Sequence, residues 1–212
     1  MMNRSPRNCL QSWLLIGLCL AGLAGPAAAG EPQDRVKQTI DDVLAILQDQ
    51  SLQAPEQTKA RRAKIRQVVQ QRFGFAEMGK RALGRHWRKL KPAQRQEFIP
   101  LFSDLLERSY ISKIETAVTA EEINILYTKE TIDEEGYAMV RTEVENPRDL
   151  NFEIDYRLFK RDGNWEAYDI VIEGVSLVNN YRTQFNKIIR QESYEALVKK
   201  LKLKIEQEEA AQ

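Results

Sequence analysis

The chain has 212 residues, with 32 Lys and Arg against 31 Asp and Glu, a formal net charge of +1. It is 42% apolar and 30% charged, long enough to bury a core as one domain or two small subdomains. Its two cysteines, Cys9 and Cys19, both lie near the N-terminus, so the remainder carries no disulfide, metal thiolate or Cys nucleophile.

Residues 1–29 read as a cleavable export signal. Arg4 and Arg7 supply the positive start, residues 9–23 (CLQSWLLIGLCLAGL) the apolar stretch, and Ala27-Ala28-Ala29 the small-residue cleavage site. A lipoprotein signal would need small residues before Cys19, where Leu18 stands instead. Cleavage would begin the mature chain at Gly30, with about 180 residues and no second long apolar run. The expectation is a soluble, exported, periplasmic protein with a single domain over 30–212.

Residues 34–52 place Val36, Ile40, Val43, Leu44 and Leu47 on one helical stripe. Pro55 suits the first turn of a second helix running to about Phe73, with Ile65, Val68 and Val69 inward. FGFAEMGKRALG (73–84) predicts a short helix bracketed by Gly74 and Gly84. Pro92 opens the longest helix, whose apolar face holds Phe98, Phe102, Leu105, Leu106 and Tyr110, continuing to about Val118. Pro100 inside it predicts a kink near Gln96, a late helix start, or an outward-facing proline.

After Thr119 the period changes from helical to alternating. Segments 123–129, 137–145, 150–161 and 164–173 predict four strands joined by short connections, with Asp162-Gly163 as a hairpin turn and Pro147 in the second connection. Phe152, Ile154, Tyr156 and Leu158 alternate with Glu153, Asp155 and Arg157, so one face of the sheet is buried and the other wet. Gly174 permits a reversal, Ser176 can cap a helix over 177–190, and a last helix spans about 193–209. The order is helices over 34–118, a sheet over 123–173 and helices over 177–209. It predicts an α+β fold with a four-stranded antiparallel sheet covered on one face.

Charge is segregated. Residues 59–95 hold thirteen Lys and Arg against one acid, Glu77. Such a window is a solvated helix face or a docking face for an acidic partner or an anionic lipid surface; nucleic acid is a poor partner for an exported chain. Nothing in the residues points to catalysis, a metal or a cofactor. His86 is the only histidine, and Gly74, Gly79 and Gly84 do not form a phosphate-cradling loop.

Three separated stretches carry a resemblance: FGFAEMGKRALGRHWRKL, QEFIPLFSDLLERSYISKI and NWEAYDIVIEGVSLVNNYRTQF. In this order they resemble the MlaC family, also called the toluene-tolerance auxiliary family, over about residues 34–205. Pro100, and Lys91 where Ser or Thr often caps the long helix, depart from the pattern. The resemblance implies a twisted, NTF2-like sheet with a lipid cavity between sheet and helices. It implies a periplasmic phospholipid carrier, not an enzyme. Its partners would be an outer-membrane lipoprotein–porin complex and an inner-membrane MCE-type ABC transporter, and its role outer-membrane lipid asymmetry.

On that reading the apolar residues acquire a use. Leu105, Tyr110, Val140, Val144, Tyr156, Ile170, Ile172, Val175 and Val178 are expected to line the pocket, although each also fits an ordinary core. Arg182 would touch a headgroup or partner, or form a salt bridge to Asp169. At about 0.8 kcal/mol per methylene, two chains of roughly sixteen carbons need about 25 kcal/mol of shielding from water. The pocket would measure roughly 900 Å³. Empty, it would cost about 20 kcal/mol, so the protein either keeps lipid or closes when stripped. Three rivals stay open: a carrier of another apolar lipid such as a hopanoid, an enzyme on the same scaffold with a buried polar cluster, and a non-catalytic adaptor with a filled core.

Overall fold

The computed structural model describes residues 30–119, 123–145 and 151–210; the expected export signal and Pro147 lie outside them. Helix α1 (Glu31–Gln48) leads through two 3₁₀ turns to α2 (Thr58–Arg72), and α3 (Phe75–Leu83) follows at once. Pro55 thus opens a 3₁₀ turn, Pro55–Gln57, and α2 starts only at Thr58. A 3₁₀ segment, Gly84–Lys89, precedes the long helix α4 (Pro92–Thr119), which contains an exposed Pro100. Of the three expectations for Pro100, the late helix start is overturned and the outward-facing position is observed.

Strands β1 (Asn124–Ile132), β2 (Tyr137–Glu145), β3 (Phe152–Arg161), β4 (Asn164–Ile172) and β5 (Val175–Ser176) form one antiparallel meander in sequence order. The sheet has five strands, not the expected four. A two-residue strand shows no period that a sequence reading could detect. The β3–β4 hairpin turns at Asp162 (φ 50°) and Gly163 (φ 81°), both left-handed, as Asp-Gly in a two-residue loop requires. The β4–β5 reversal repeats this with Glu173 (φ 48°) and Gly174 (φ 75°). Helices α5 (Leu177–Gln191) and α6 (Tyr194–Ala210) complete the chain.

Two helical regions lie beside the sheet. Helices α3, α4, α5 and α6 build their own core from Met78, Leu83, Phe98, Phe102, Phe185 and Leu197. Phe98, Phe102, Tyr181 and Phe185 meet ring to ring at 5.4–5.8 Å. This layer joins the sheet along β4, where Asp169 is the fastening point. Its Oδ1 accepts from the Val178 amide (3.0 Å), its Oδ2 from the Ser176 hydroxyl (2.6 Å), and Arg157 Nη1 stands 3.2 Å away. Ser176 Oγ in turn accepts from the Asn179 amide, capping α5 as expected.

Helix α1 covers the sheet differently. Its N-cap is Gly30, which has no side chain to offer. Glu130 of β1 takes that role: its carboxylate accepts from the amides of Gly30 (2.9 Å) and Gln33 (2.8 Å). A carboxylate there satisfies orphan donors and complements the helix dipole. Glu31 adds bonds from Lys160 Nζ (2.7 Å) and Trp165 Nε1 (3.2 Å). The start of α1 is therefore fixed to the sheet, and Val36 packs with Ala138, Val140, Leu158 and Trp165. Further along, Leu47 turns to Ile65 of α2 and Ile111 of α4.

Carboxylates of α4 hold α2 in place. Glu115 receives Arg61 Nε and Arg62 Nε, each at 2.8 Å, and Glu107 lies 2.6 Å from Arg66 Nε. Burial pushes the Glu107 carboxyl above the usual range, and bonds to Ser103 and Gln70 and the Arg66 charge only partly offset this. An acid whose folded pKa is raised makes the folded state the better proton binder. Its contribution to stability therefore grows as pH falls through the folded pKa, and is complete below the unfolded value. Urea unfolding at pH 7 and pH 4.5 should show the wild type gaining on Glu107→Gln at the lower pH; parallel behaviour would contradict this assignment.

Candidate functional site

Strand register sorts the sheet into two unlike faces. Opposite each other on one face are Val144 with Phe152 and Ile125, Thr142 with Ile154 and Tyr127, and Val140 with Tyr156. On β4 the same face continues as Ile170 opposite Tyr156 and Ile172 opposite Ile154. The other face carries Arg141, Glu143, Glu153, Asp155, Arg157 and Asp169. Arg141 and Asp155 pair across it at 2.6 and 3.0 Å. Period-two alternation produces this division within each stretch, and register shifts lie between Tyr127 and Lys129 and between Arg157 and Leu158, the second keeping Ala167 on the same face as Ile170.

Burial divides the apolar face along its length. Under α1, Ala138, Val140, Leu158 and Trp165 are buried. Toward the far end Thr142 and Val144 stay buried in the middle of the sheet, while their neighbours Ile125, Phe152 and Ile154 are half-buried and Ile172 is 39% exposed. The two tyrosines within the face stay neutral. Burial raises the Tyr127 phenol, with Tyr156 and Asp41 adding to the effect. Burial likewise pushes Tyr156 up to about 12, opposed by a hydrogen bond with Thr142. At neutral pH both phenols are uncharged, and the ions that border this face, Glu130 opposite Val140 and Arg35 and Arg72 in the crevice beside it, lie at the α1 end.

Five of the nine expected wall residues, Val140, Val144, Tyr156, Ile170 and Ile172, share this face. Val175 pairs with Ile172 on β5 and is 64% exposed at the open end. Leu105 and Val178 are not brought to the face; both are buried in the helical core with Phe98, Phe102 and Phe185. Leu105 belongs to the same stripe of α4 as Phe98 and Phe102, and a stripe does not reveal which neighbour it meets. Tyr110 packs against that core too, hydrogen-bonded to Tyr181. The anticipated Arg182–Asp169 bridge is absent, because Asp169 is engaged by Arg157, Ser176 and the Val178 amide. Arg182 lies against Gly84, where a Cβ would come within 2.9 Å of its Nε.

The expected cavity of roughly 900 Å³ is not what lies between α1 and the sheet. A crevice there, lined by Arg35, Val36, Thr39, Arg72, Phe73, Tyr156, Leu158 and Ala167, holds about 20 Å³. That is room for about one water. Val36 and its partners meet in direct contact instead. Sequence reasoning singled out neither Phe152 nor Ile154 as wall residues, although their alternation with Glu153 and Asp155 carried the signal. It also missed Glu130, since a cap supplied across the fold has no local pattern.

Chemistry-bearing groups do not converge. Among the described residues no group of three or more His, Cys, Asp or Glu could hold a metal ion. His86 faces Asn186 Oδ1 at 3.0 Å. No described helix is long and apolar enough to cross a membrane. Sheet and helices thus define a mixed α+β protein with a partly open apolar face.

Its family follows from comparison: the MlaC protein family model matches residues 37–203, and the chain belongs to that family. It is 20% identical over 177 residues to the intermembrane phospholipid transport system binding protein MlaC of Haemophilus influenzae, covering 82% of each chain. A solved structure of a phospholipid-binding protein from Ralstonia solanacearum, in complex with a phospholipid, superposes with a TM-score of 0.70 at 28% identity. That match covers 84% of this chain and 99% of the other.

The two faces make a direct prediction. Ile154→Glu places a carboxylate on the apolar face, and Leu126→Glu places one on the opposite face, beside Glu143. An apolar fluorescent probe titrated against both folded variants should lose most of its binding with Ile154→Glu and little with Leu126→Glu. Equal binding to both would remove the apolar face as the site.

Proposed function

We propose that this protein is a periplasmic phospholipid carrier. It holds acyl chains against the apolar face of the sheet, leaves the headgroup near solvent, and shuttles lipid between membrane complexes. Those complexes would be an outer-membrane lipoprotein–porin assembly and an inner-membrane MCE-type ABC transporter, and the outcome would be lipid asymmetry of the outer membrane. The observation that carries the reading is a continuous apolar face across β2, β3 and β4, partly exposed along one end, in a chain of this family. The Ralstonia solanacearum neighbour, which holds a phospholipid, supports the choice of cargo.

The crevice of about 20 Å³ sets a physical condition on the proposal. Two acyl chains need several hundred Å³, so α1, α4 and the sheet must separate to admit them. Contacts in the interior are those that a guest would replace: Val36 on Val140 and Leu158, and Leu47 on Ile111. Because a chain moves from one apolar setting to another, exchange with a bilayer is near neutral and needs no large driving force. No step here requires an acid, a base or a nucleophile, and the protein acts as a binding component rather than an enzyme.

Mass spectrometry of the purified exported protein, first native and then after denaturing extraction, tests this. Phospholipid in about one-to-one ratio is the expected result. A hopanoid or other apolar lipid would replace the cargo, and a folded protein that takes up no lipid when offered it would overturn the carrier reading in favour of an adaptor.

A further inference from the structure

The basic window at residues 59–95 does two different jobs. Arg61, Arg62, Arg66, Arg72, Lys80 and Arg81 each pair with a carboxylate of the same fold. The cations that follow do not. Arg85, Arg88, Lys89 and Lys91, in and just after the 3₁₀ segment, are exposed and form no ion pair among the described residues. On α5, Arg182 and Arg190 are exposed and unpaired in the same sense.

These cations sit on two elements that touch, and in the 3₁₀ segment side chains three apart eclipse, so Arg88 and Lys89 follow Arg85 and His86 along it. Arg182, Asn186 and Arg190 recur at four-residue steps and so share a side of α5. Asn186 Oδ1 accepts from Arg85 Nη2 at 2.9 Å and contacts His86 Nε2 at 3.0 Å, while Arg182 lies against Gly84. The 3₁₀ segment is therefore fastened along that side of α5. Trp87 is half-buried within it, with the Arg95 guanidinium 5.2 Å from its ring.

From this arrangement we infer that the surface formed by the Gly84–Lys89 segment and the outer side of α5 docks on a bilayer containing anionic phospholipid. A specific protein interface is anchored by exposed apolar or aromatic groups that become desolvated. The exposed large apolar residues here, Ile114, Leu126, Ile132, Ile172, Val175 and Leu203, all lie elsewhere. A group of exposed cations without an exposed apolar anchor suits a diffuse, negatively charged surface. The purpose of this contact rests on the carrier reading above, since a carrier must meet lipid surfaces; the contact itself is tested without it.

Vesicle flotation at low salt provides the test. The exported protein should float with vesicles rich in phosphatidylglycerol and not with phosphatidylcholine alone, and salt should release it. Arg88→Glu/Lys89→Glu should weaken this binding more than about tenfold, since each cation at an anionic surface is worth about fivefold. Lys59→Glu/Lys64→Glu makes the same charge change on exposed positions of α2 and should retain most of it. Lipid content measured on the same samples should be unchanged in both, which separates failure of docking from failure of the cargo site. Absence of binding to anionic vesicles, equal loss in the two double variants, or capture by an acidic protein without vesicle binding would each overturn the inference.

Discussion

Alternation along β2, β3 and β4 is the constraint from which the rest follows. Val140, Thr142 and Val144, then Ile154 and Tyr156, then Ile170 and Ile172 give the sheet one face that water cannot solvate well. Something must cover it. Helix α1 covers one half and is secured there by Glu130 at its first amides and by Glu31 toward Lys160 and Trp165. The remaining half stays partly open, and its exposed end at Ile172 and Val175 meets the tight β4–β5 reversal. A face that is buried at one end and accessible at the other is suited to a guest that is itself apolar at one end.

Electrostatics gives the helices their places without building a reactive centre. Helix α2 has a modest apolar contribution, chiefly Ile65, and is held to α4 by guanidinium–carboxylate contacts at Glu107 and Glu115. Breaking either partner of such a buried pair is costly, whereas the intact pair contributes little net stability. Helix α2 is thus positioned more by specific charge geometry than by apolar burial, and it lies beside the α1 segment that a bound chain would displace. Carboxylates are abundant, yet the ones buried among helices are committed to arginines, and those on the sheet's polar face pair across strands.

Much of this was legible in the residues because it depends on period. The stripe through Phe98 and Phe102, the alternation of β3 and the Asp162-Gly163 turn each announce themselves locally, and each formed as read. Parity on β4 was also right: Ile170 and Ile172 do share the face of Val140 and Tyr156. What escaped notice are polar contacts between elements. Asp169 joins β4 to the first turn of α5, and Glu130 caps a helix 100 residues earlier; neither has a neighbouring pattern. Leu105 and Val178 lie in the helical core and not on the sheet face, since amphipathicity says which side is buried and not against what. The expected open cavity was an implication of resemblance, and the close contact of Val36 with the sheet replaces it.

The most direct test of the central claim is photocrosslinking with a phospholipid that carries a photoactivatable group near the end of one acyl chain, followed by peptide mapping. Adducts are expected at alternate positions of the apolar face, Val144, Ile154, Tyr156, Ile170 and Ile172, and none at Arg141, Glu143 or Asp155. Adducts confined to the helical core around Phe98 and Phe185, or spread over both faces of the sheet, would contradict it.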